Sequence, residues 1–296
     1  MFSRIVFWTV FSLFVMPVPA WASPRVVVSI APLHSIVSAV MEGAGGPELL
    51  LKPNVSVHGY SLKPSDMQRL ASADVVFWAG KTLETFLVKA IQAAKMTDKN
   101  VAVMADPRLT LYPAGEEETS HADIDGHFWL DPENMVAVAS IVAEKLSVLD
   151  PENATLYQKN AARVRDGLRA LEQEGKKLLE PYKRKPYVVF HDAFQYFEKK
   201  FALFSLGALS VDPHHTTGAA SLSEIRQKMR EAGTVCLFSE PQFSDKKAKI
   251  AAEGLPVVFG QLDPAGMQTA AGKDFYPMMM RALFRSFVDC LSRLPE

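Results

Sequence analysis

The segment VVFHDAFQYFEKKF, residues 188–201, decides how this chain is interpreted. The apolar run at residues 187–190 is typical of a buried strand, and it ends on His191. A helix-like segment is predicted to start at Asp192. A strand followed directly by a helix is the building unit of a parallel α/β sheet. A single histidine at a strand end is more often a hydrogen-bonded residue than a ligand. This segment therefore predicts the fold class and only raises the question of a site.

The same alternation of strand and helix recurs along most of the chain. Before residue 150 the strand-like runs are RVVVSIAPL, ELLLK, DVVFWAG and NVAVMA. After residue 182 they are YVVF, ALFSLGAL, TVCLFSE and PVVFG, again with helix-like segments between them. The pattern predicts two similar α/β lobes, each a mostly parallel sheet flanked by helices.

One long helix is predicted to bridge the two lobes. A polar helical segment runs from about Asn153 to Leu179 and carries a single apolar stripe. It is the only obvious connector, and its length indicates a stiff hinge rather than a flexible linker. The predicted division is an N-terminal lobe at 23–150, a linking helix at 151–181 and a C-terminal lobe at 182–296.

The first 22 residues are predicted to be a signal peptide and not part of the fold. Arg4 precedes an apolar run that starts at Ile5, and the A-x-A pattern at residues 20–22 marks a cleavage site after Ala22. The run is short for a membrane span, although an uncleaved anchor stays open as an alternative. No cysteine stands at the cleavage point, so we expect export to the periplasm without a lipid anchor.

The composition is that of an ordinary globular protein. The chain has 296 residues, of which 48% are hydrophobic and 22% charged, with a formal net charge of −1. Without a long basic run, a nucleic-acid partner is not expected. The two cysteines, Cys236 and Cys290, are expected to form a disulfide in an oxidising compartment. Two buried free thiols are the alternative.

Several of the histidines lie where a ligand site is expected. The seven are His34, His58, His121, His127, His191, His214 and His215. Three of them, His34, His58 and His191, follow predicted strands, and His127 lies between an acidic loop and a helix. Because ligands of open α/β sheets bind beyond the carboxyl ends of strands, these side chains are able to converge on one cleft between the lobes. Imidazole is a preferred ligand of zinc, although no compact zinc motif such as H-E-x-x-H is present.

Five motifs in fixed order give the chain a specific resemblance. HGYSLKPSDMQRLASADVVFWAG, HFWLDPE, VVFHDAFQYFEKKFAL, CLFSEPQF and LDPAG together span essentially the whole mature chain. They resemble the periplasmic zinc-binding protein of bacterial zinc ABC uptake systems. The resemblance implies a monomeric, non-enzymatic protein that captures Zn²⁺ in the interlobe cleft. It also implies a partner, the membrane permease subunit of the transporter, which receives the zinc for import.

The resemblance also implies a ligand set. The three histidine ligands of the family match His58, His127 and His191. Related members add an aspartate that matches Asp263, and either this residue or water is expected as the fourth ligand. The cysteine pair of the family matches Cys236 and Cys290.

The chain departs from the family pattern at two places. Some zinc-binding members have a glutamate immediately before the first ligand, where this chain has Val57. Many also carry a long histidine-rich loop before the second ligand, and here the loop is short and holds only His121. A role for this loop in zinc capture is therefore in doubt.

The remaining polar candidates are accessory at most. His34 is expected at the floor of the cleft. His214 and His215 form an adjacent pair that either contacts a second metal or lies in a solvated loop. Glu240 ends a strand and is expected to support a ligand rather than to coordinate zinc. Trp129 either forms a wall of the site or belongs to the core.

Two other functions are compatible with such a histidine set. Three histidines with an open fourth position also describe a catalytic zinc hydrolase, but no catalytic base stands at a recognisable spacing. A transport protein for Mn²⁺ or Fe²⁺ is the other alternative. Three imidazoles favour zinc, because manganese sites usually contain more carboxylates.

Overall fold

The computed structural model describes residues 23–57, 60–114, 124–210 and 219–295. The predicted signal peptide and four histidines (His58, His121, His214 and His215) lie outside these ranges. Within them, no helix is both long enough and apolar enough to cross a membrane.

The first half of the chain forms a parallel four-stranded sheet with the strand order β2-β1-β3-β4. Its strands are β1 (Val26–Val28), β2 (Glu48–Leu49), β3 (Val75–Trp78) and β4 (Asn100–Ala102). Its helices are α1 (Ala31–Val40), α2 (Pro64–Ser72), α3 (Thr85–Ala93) and α4 (Pro132–Leu149). Strands β1 and β3 are buried at every position. Their near-continuous apolar sequences are typical of parallel strands covered on both faces.

The second half repeats this arrangement with the strand order β6-β5-β7-β8, again all parallel. Its strands are β5 (Tyr187–His191), β6 (Ser205–Ser210), β7 (Val235–Ser239) and β8 (Val257–Gln261). Its helices are α6 (Gln195–Phe201), α7 (Ala219–Ala232), α8 (Lys246–Ala252) and α9 (Phe275–Leu291). The predicted fold class, two similar parallel α/β halves, is confirmed.

The long helix α5 (Ala154–Leu179) runs between the halves, inside the predicted linking segment. It is not the only connection, because the largest apolar cluster contains residues from both sheets and from α1, α4 and α9. The Asn160 side chain fastens α5 to α1 by donating to the carbonyl oxygens of Val40 and Glu42 at 3.0 and 2.8 Å. The two halves therefore share one core in addition to the bridging helix.

A glycine allows α5 to pack closely against the second half. A Cβ atom at Gly175 would lie 2.5 Å from Cζ of Phe284 on α9 and 2.7 Å from Cε1 of Phe201 on α6. Real Cβ atoms do not make contacts this short, so the three helices approach one another only because residue 175 has no side chain.

Some predicted boundaries were wrong by a few residues. Helix α1 begins at Ala31, inside the RVVVSIAPL run that was predicted as a strand, because Pro32 fits the first turn of a helix. Helix α6 begins at Gln195 and not at Asp192. The Asp192 N–H donates to the Ser210 carbonyl at 3.1 Å, so sheet-type bonding continues one residue past β5. Strand β2 is shorter than the predicted ELLLK run.

The predicted disulfide is present. Cys236 on β7 is bonded to Cys290 on α9, with their Cα atoms 6.1 Å apart. The alternative of two free thiols is therefore wrong, and the bond ties the second sheet to its last helix.

Candidate metal centre

A cleft lies beyond the carboxyl ends of the strands, between the two halves. Its empty volume is about 610 Å³, which includes space open to solvent. The first half contributes mostly apolar side chains to its wall. Among the described residues that line it are Ile30, Leu51, Val57, His127, Trp129, His191, Gln242, Pro264 and Met267.

His191 reaches the cleft as the last residue of β5 and is only 4% exposed. Strand β5 lies between β6 and β7, and the order of the strands reverses at β5, which makes its carboxyl end the switch point where open α/β sheets bind ligands. Glu240 follows the neighbouring strand β7, and its Oε1 lies 3.7 Å from Nδ1 of His191. The strand order thus explains why an imidazole and a carboxylate meet at this edge.

Glu240 is a buried carboxylate with polar and charged neighbours. Burial raises the pKa of its carboxyl, contact with His191 lowers it, and the nearby carboxylate of Asp263 raises it again. The side-chain amide of Gln242 donates to Glu240 Oε2 at 2.6 Å. The supporting role of Glu240 beside His191 stays a prediction.

His127 comes from the turn before α4 and is oriented by Asp125. Asp125 Oδ1 accepts hydrogen bonds from the backbone N–H of His127 at 3.0 Å and from its ring Nδ1 at 2.7 Å. Because a carboxylate only accepts, the hydrogen of the neutral ring is on Nδ1. Its Nε2 therefore carries a lone pair, and a carboxylate on the other ring nitrogen is the usual arrangement in carboxylate–histidine–metal sites.

The rings of His127 and His191 are brought together from opposite halves of the chain. Their centroids are 5.0 Å apart and their planes meet at 77°. This separation suits two nitrogen ligands of one zinc ion, for which Zn–N distances are about 2.0–2.1 Å. The expected convergence of these two histidines is therefore observed.

Asp263 lies in the segment after β8, next to Pro264 in the wall of the cleft. Its Oδ1 is buried and, among the described residues, has no hydrogen-bond partner. A buried carboxylate oxygen normally has a partner, so this atom is suited to a cation.

The described residues alone do not complete a metal site. Among them, no group of three or more His, Cys, Asp or Glu side chains is arranged to hold a metal ion. The predicted third imidazole, His58, lies outside the described residues, while its neighbour Val57 lines the cleft. The ligand set therefore stays a prediction.

His34 is placed away from the lining of the cleft. It lies on α1, is 8% exposed, and its Nε2 is 3.1 Å from the carbonyl oxygen of Pro47. Its Nδ1 is 3.4 Å from the Ser38 hydroxyl. Burial lowers the pKa of His34, and the contact with the Pro47 carbonyl partly offsets this. Both ring nitrogens thus face groups of the first half.

The sequence interpretation missed Asp125 and left Trp129 undecided. Trp129 lines the cleft, and its indole N–H donates to the Pro264 carbonyl at 2.9 Å. Asp125 stands two residues before His127 at the end of an acidic loop, where several acids occur. The spacing to His127 was the only available signal, and it does not single out one carboxylate.

Known proteins share both sequence and fold with this chain. Residues 26–290 match the family described as zinc-uptake complex component A, periplasmic. The high-affinity zinc uptake system protein ZnuA of Brucella suis biovar 1 (strain 1330) is 40% identical, over 90% of this chain and 92% of that protein. The protein of the same description from Haemophilus ducreyi is 32% identical, over 96% of this chain and 99% of that protein.

A solved structure shows the same fold. The periplasmic zinc-binding protein TroA from Treponema pallidum superposes with a TM-score of 0.78 at 21% sequence identity. The match covers 92% of this chain and 100% of that one. Both chains therefore have the same two-sheet architecture.

Proposed function

The chain belongs to the family of periplasmic zinc-uptake components, and we propose that it captures Zn²⁺ in the cleft with His58, His127, His191 and Asp263 as ligands. The observation that carries this proposal is the pair of buried imidazoles, His127 and His191, which face each other 5.0 Å apart from the two halves of the chain. Each ring has a carboxylate beside its Nδ1.

The chemistry of the donors supports zinc as the cargo. Imidazole nitrogen suits a borderline cation, and zinc prefers four ligands in a tetrahedral arrangement. Three imidazoles and one carboxylate satisfy this number. Asp263 is the weaker member of the set because water can take its place.

The bound zinc is handed to the membrane permease of an ABC transporter, and the protein acts as a monomer without a lipid anchor. It binds its cargo and performs no reaction on it. The family description as a component of an uptake complex supports the permease as partner. Light scattering of the zinc-loaded protein tests the monomer, and ester, peptide and phosphate hydrolysis assays test the absence of catalysis.

The decisive experiment removes one imidazole at a time. We expect His58→Ala, His127→Ala and His191→Ala each to weaken zinc binding by more than about 100-fold, because loss of a ligand exceeds the 10- to 100-fold effect of losing a supporting partner. His34→Ala is the matched control, since His34 is also a buried histidine but faces Pro47 and Ser38. Native mass spectrometry gives the number of zinc ions per chain, and chelator competition gives the affinity.

A ligand assignment is wrong if its alanine variant binds zinc like the unaltered protein. The same competition assay with Mn²⁺ and Fe²⁺ tests the choice of metal. A preference for either ion over zinc would contradict the proposal.

A further inference from the structure

Trp129 connects the two halves of the chain at the cleft. It lies in the short turn before α4, belongs to the first half, and is 4% exposed. Its ring packs against His127 with a centroid distance of 5.2 Å. Its indole N–H donates to the carbonyl oxygen of Pro264, which belongs to the second half. One side chain thus touches a predicted ligand and the residue adjacent to another.

The carbonyl group of Pro264 belongs to the residue directly after Asp263, and few rotatable backbone bonds separate it from Asp263. The proline ring fixes φ of Pro264 at about −65°. The residue before a proline is itself restricted to extended conformations. Holding the Pro264 carbonyl therefore restricts where the Asp263 side chain points.

The segment after β8 is fastened to the first half at a second place. The hydroxyl of Tyr276 donates to the Trp129 carbonyl at 2.7 Å. The Tyr276 N–H donates to the Ser35 hydroxyl at 2.9 Å, and that hydroxyl donates to the Lys273 carbonyl at 2.8 Å. The end of the segment at Lys273 and Tyr276 is thus held on α1. Among the described side-chain hydrogen bonds to this segment, the bond from Trp129 to Pro264 is the one nearest to Asp263 in the sequence.

We propose that Trp129 is a positioning residue for zinc capture: its indole N–H fixes the Pro264 carbonyl and thereby holds Asp263 of the second half in place beside His127 of the first. The inference rests on the proposed function, in which Asp263 is a ligand. It explains why Asp263 Oδ1 stays buried without a partner among the described residues, since the backbone beside it is restrained. Trp129 acts through Asp263 and does not touch the metal.

The test is a double-mutant cycle between Trp129 and Asp263. Trp129→Phe keeps an aromatic ring and removes the N–H. We expect it to weaken zinc binding about tenfold in the otherwise unaltered protein, which is the lower end for a supporting residue. In the Asp263→Ala background the same change should alter affinity by less than about twofold, because the side chain that it positions is gone.

A matched control separates positioning from general destabilisation. Trp78 is 6% exposed, and its indole N–H donates to Asn100 Oδ1 at 3.0 Å in a cluster on the other face of the first sheet. Trp78→Phe removes a similar indole hydrogen bond, which is partly buried, and should leave zinc affinity unchanged. As a second signature, the visible spectrum of the Co²⁺-loaded Trp129→Phe protein should shift towards that of Asp263→Ala.

If Trp129→Phe does not fold, Tyr276→Phe replaces it in the cycle, because it removes the bond to the Trp129 carbonyl and should act in the same direction. Equal weakening in both backgrounds, or no weakening in either, overturns the inference and leaves Asp263 as a ligand. Unchanged affinity in Asp263→Ala alone removes the ligand assignment of Asp263 and this inference with it.

Discussion

Asp125 is predicted to set zinc affinity through His127. Its side chain is 6% exposed and accepts two hydrogen bonds from that residue, at 3.0 Å from the backbone N–H and at 2.7 Å from Nδ1. Asp125→Ala removes both bonds. Asp125→Asn keeps an acceptor oxygen in nearly the same place and removes the negative charge. The two variants therefore separate the orientation of the ring from its electrostatic support.

The expected magnitudes follow from the kind of bond that is lost. A hydrogen bond to a charged acceptor contributes about 1.5–3 kcal/mol, and one between neutral groups about 0.5–1.5 kcal/mol. The hydrogen bond from His127 Nδ1 to Asp125 strengthens when Nε2 gives its lone pair to a cation. Part of the energy difference between a charged and a neutral acceptor therefore appears in the free energy of zinc binding. We expect a loss of about 1 kcal/mol, or about fivefold in affinity, for Asp125→Asn. Asp125→Ala should lose about 10- to 100-fold.

Chelator competition near neutral pH measures both variants. Asp150→Ala is the control, because Asp150 also accepts two side-chain hydrogen bonds, from Tyr157 and Asn153, at the junction of α4 and α5. Nitrogen-15 spectra of the metal-free protein report the ring tautomer. The hydrogen should lie on Nδ1 of His127 in the unaltered protein and be shared between both nitrogens in Asp125→Ala.

The reasoning is refuted if Asp125→Ala binds zinc within about twofold of the unaltered protein, a difference that lies inside ordinary measurement and additivity limits. It is also refuted if Asp125→Asn weakens zinc binding more than Asp125→Ala does. In that case the carboxylate would do something other than orient and polarise the ring.

Three further predictions concern the fold. Gly175→Ala should destabilise the protein by about 1–3 kcal/mol through overpacking. Gly167→Ala, at an open site on the same helix, should stabilise it by up to about 1 kcal/mol. Equal effects of the two variants in urea unfolding would contradict this. Burial raises the pKa of Glu84 in the folded protein to about 7. The stability that its protonated carboxyl contributes is therefore lost as the pH rises from the pKa of the unfolded chain through about 7. The advantage of Glu84→Gln over the unaltered protein should therefore grow by about 2 kcal/mol between about pH 5 and pH 8, and a pH-independent difference would disprove the shift. The disulfide between Cys236 and Cys290 joins residues that are 54 positions apart. Replacing both cysteines should lower the free energy of unfolding in urea by up to about 4 kcal/mol, because the unfolded chain is then no longer restricted by a closed loop. Unchanged stability would contradict this explanation.

The sequence predicts the strands and helices well where local chemistry is decisive. The sequence predicts a helix over residues 132–149, and α4 has these bounds. Asp131 caps it by accepting the Glu133 N–H at 2.8 Å, and Pro132 occupies its first turn. The start of α1 was misjudged because the apolar run from β1 continues into the helix. Periodicity does not separate a buried strand from a buried helix in so short a run.

The candidate site was predictable only in part. The carboxyl ends of parallel strands predict that His191 faces a ligand cleft, and the structure places it there. The partnership of Asp125 with His127 and the bond from Trp129 to Pro264 were not predictable in the same way. The Asp125–His127 pair is local, but its spacing of two residues does not single out one carboxylate of the acidic loop. The Trp129–Pro264 bond depends on how a turn and a loop from different halves meet, and no period or spacing in the sequence encodes that contact.

The repeated strand order also explains why the site is asymmetric. In both sheets the central strand pair brings a valine beside a phenylalanine, Val28 with Phe77 and Val189 with Phe238, and all four face the shared core. Two residues further along the chain, the second sheet has His191 and Glu240, whereas the first has the apolar residues Ile30 and Ala79.

Ile30 and His191 both line the cleft from these matching positions. At these two positions the described strands of the first sheet therefore carry no metal-binding side chain. The predicted ligands of the first half come instead from its loops, His127 before α4 and His58 after β2. A histidine introduced as Ile30→His would have no carboxylate at the position of Ala79 to orient it. The substitution should consequently add little to zinc affinity, although the side chain lies in the wall of the cleft.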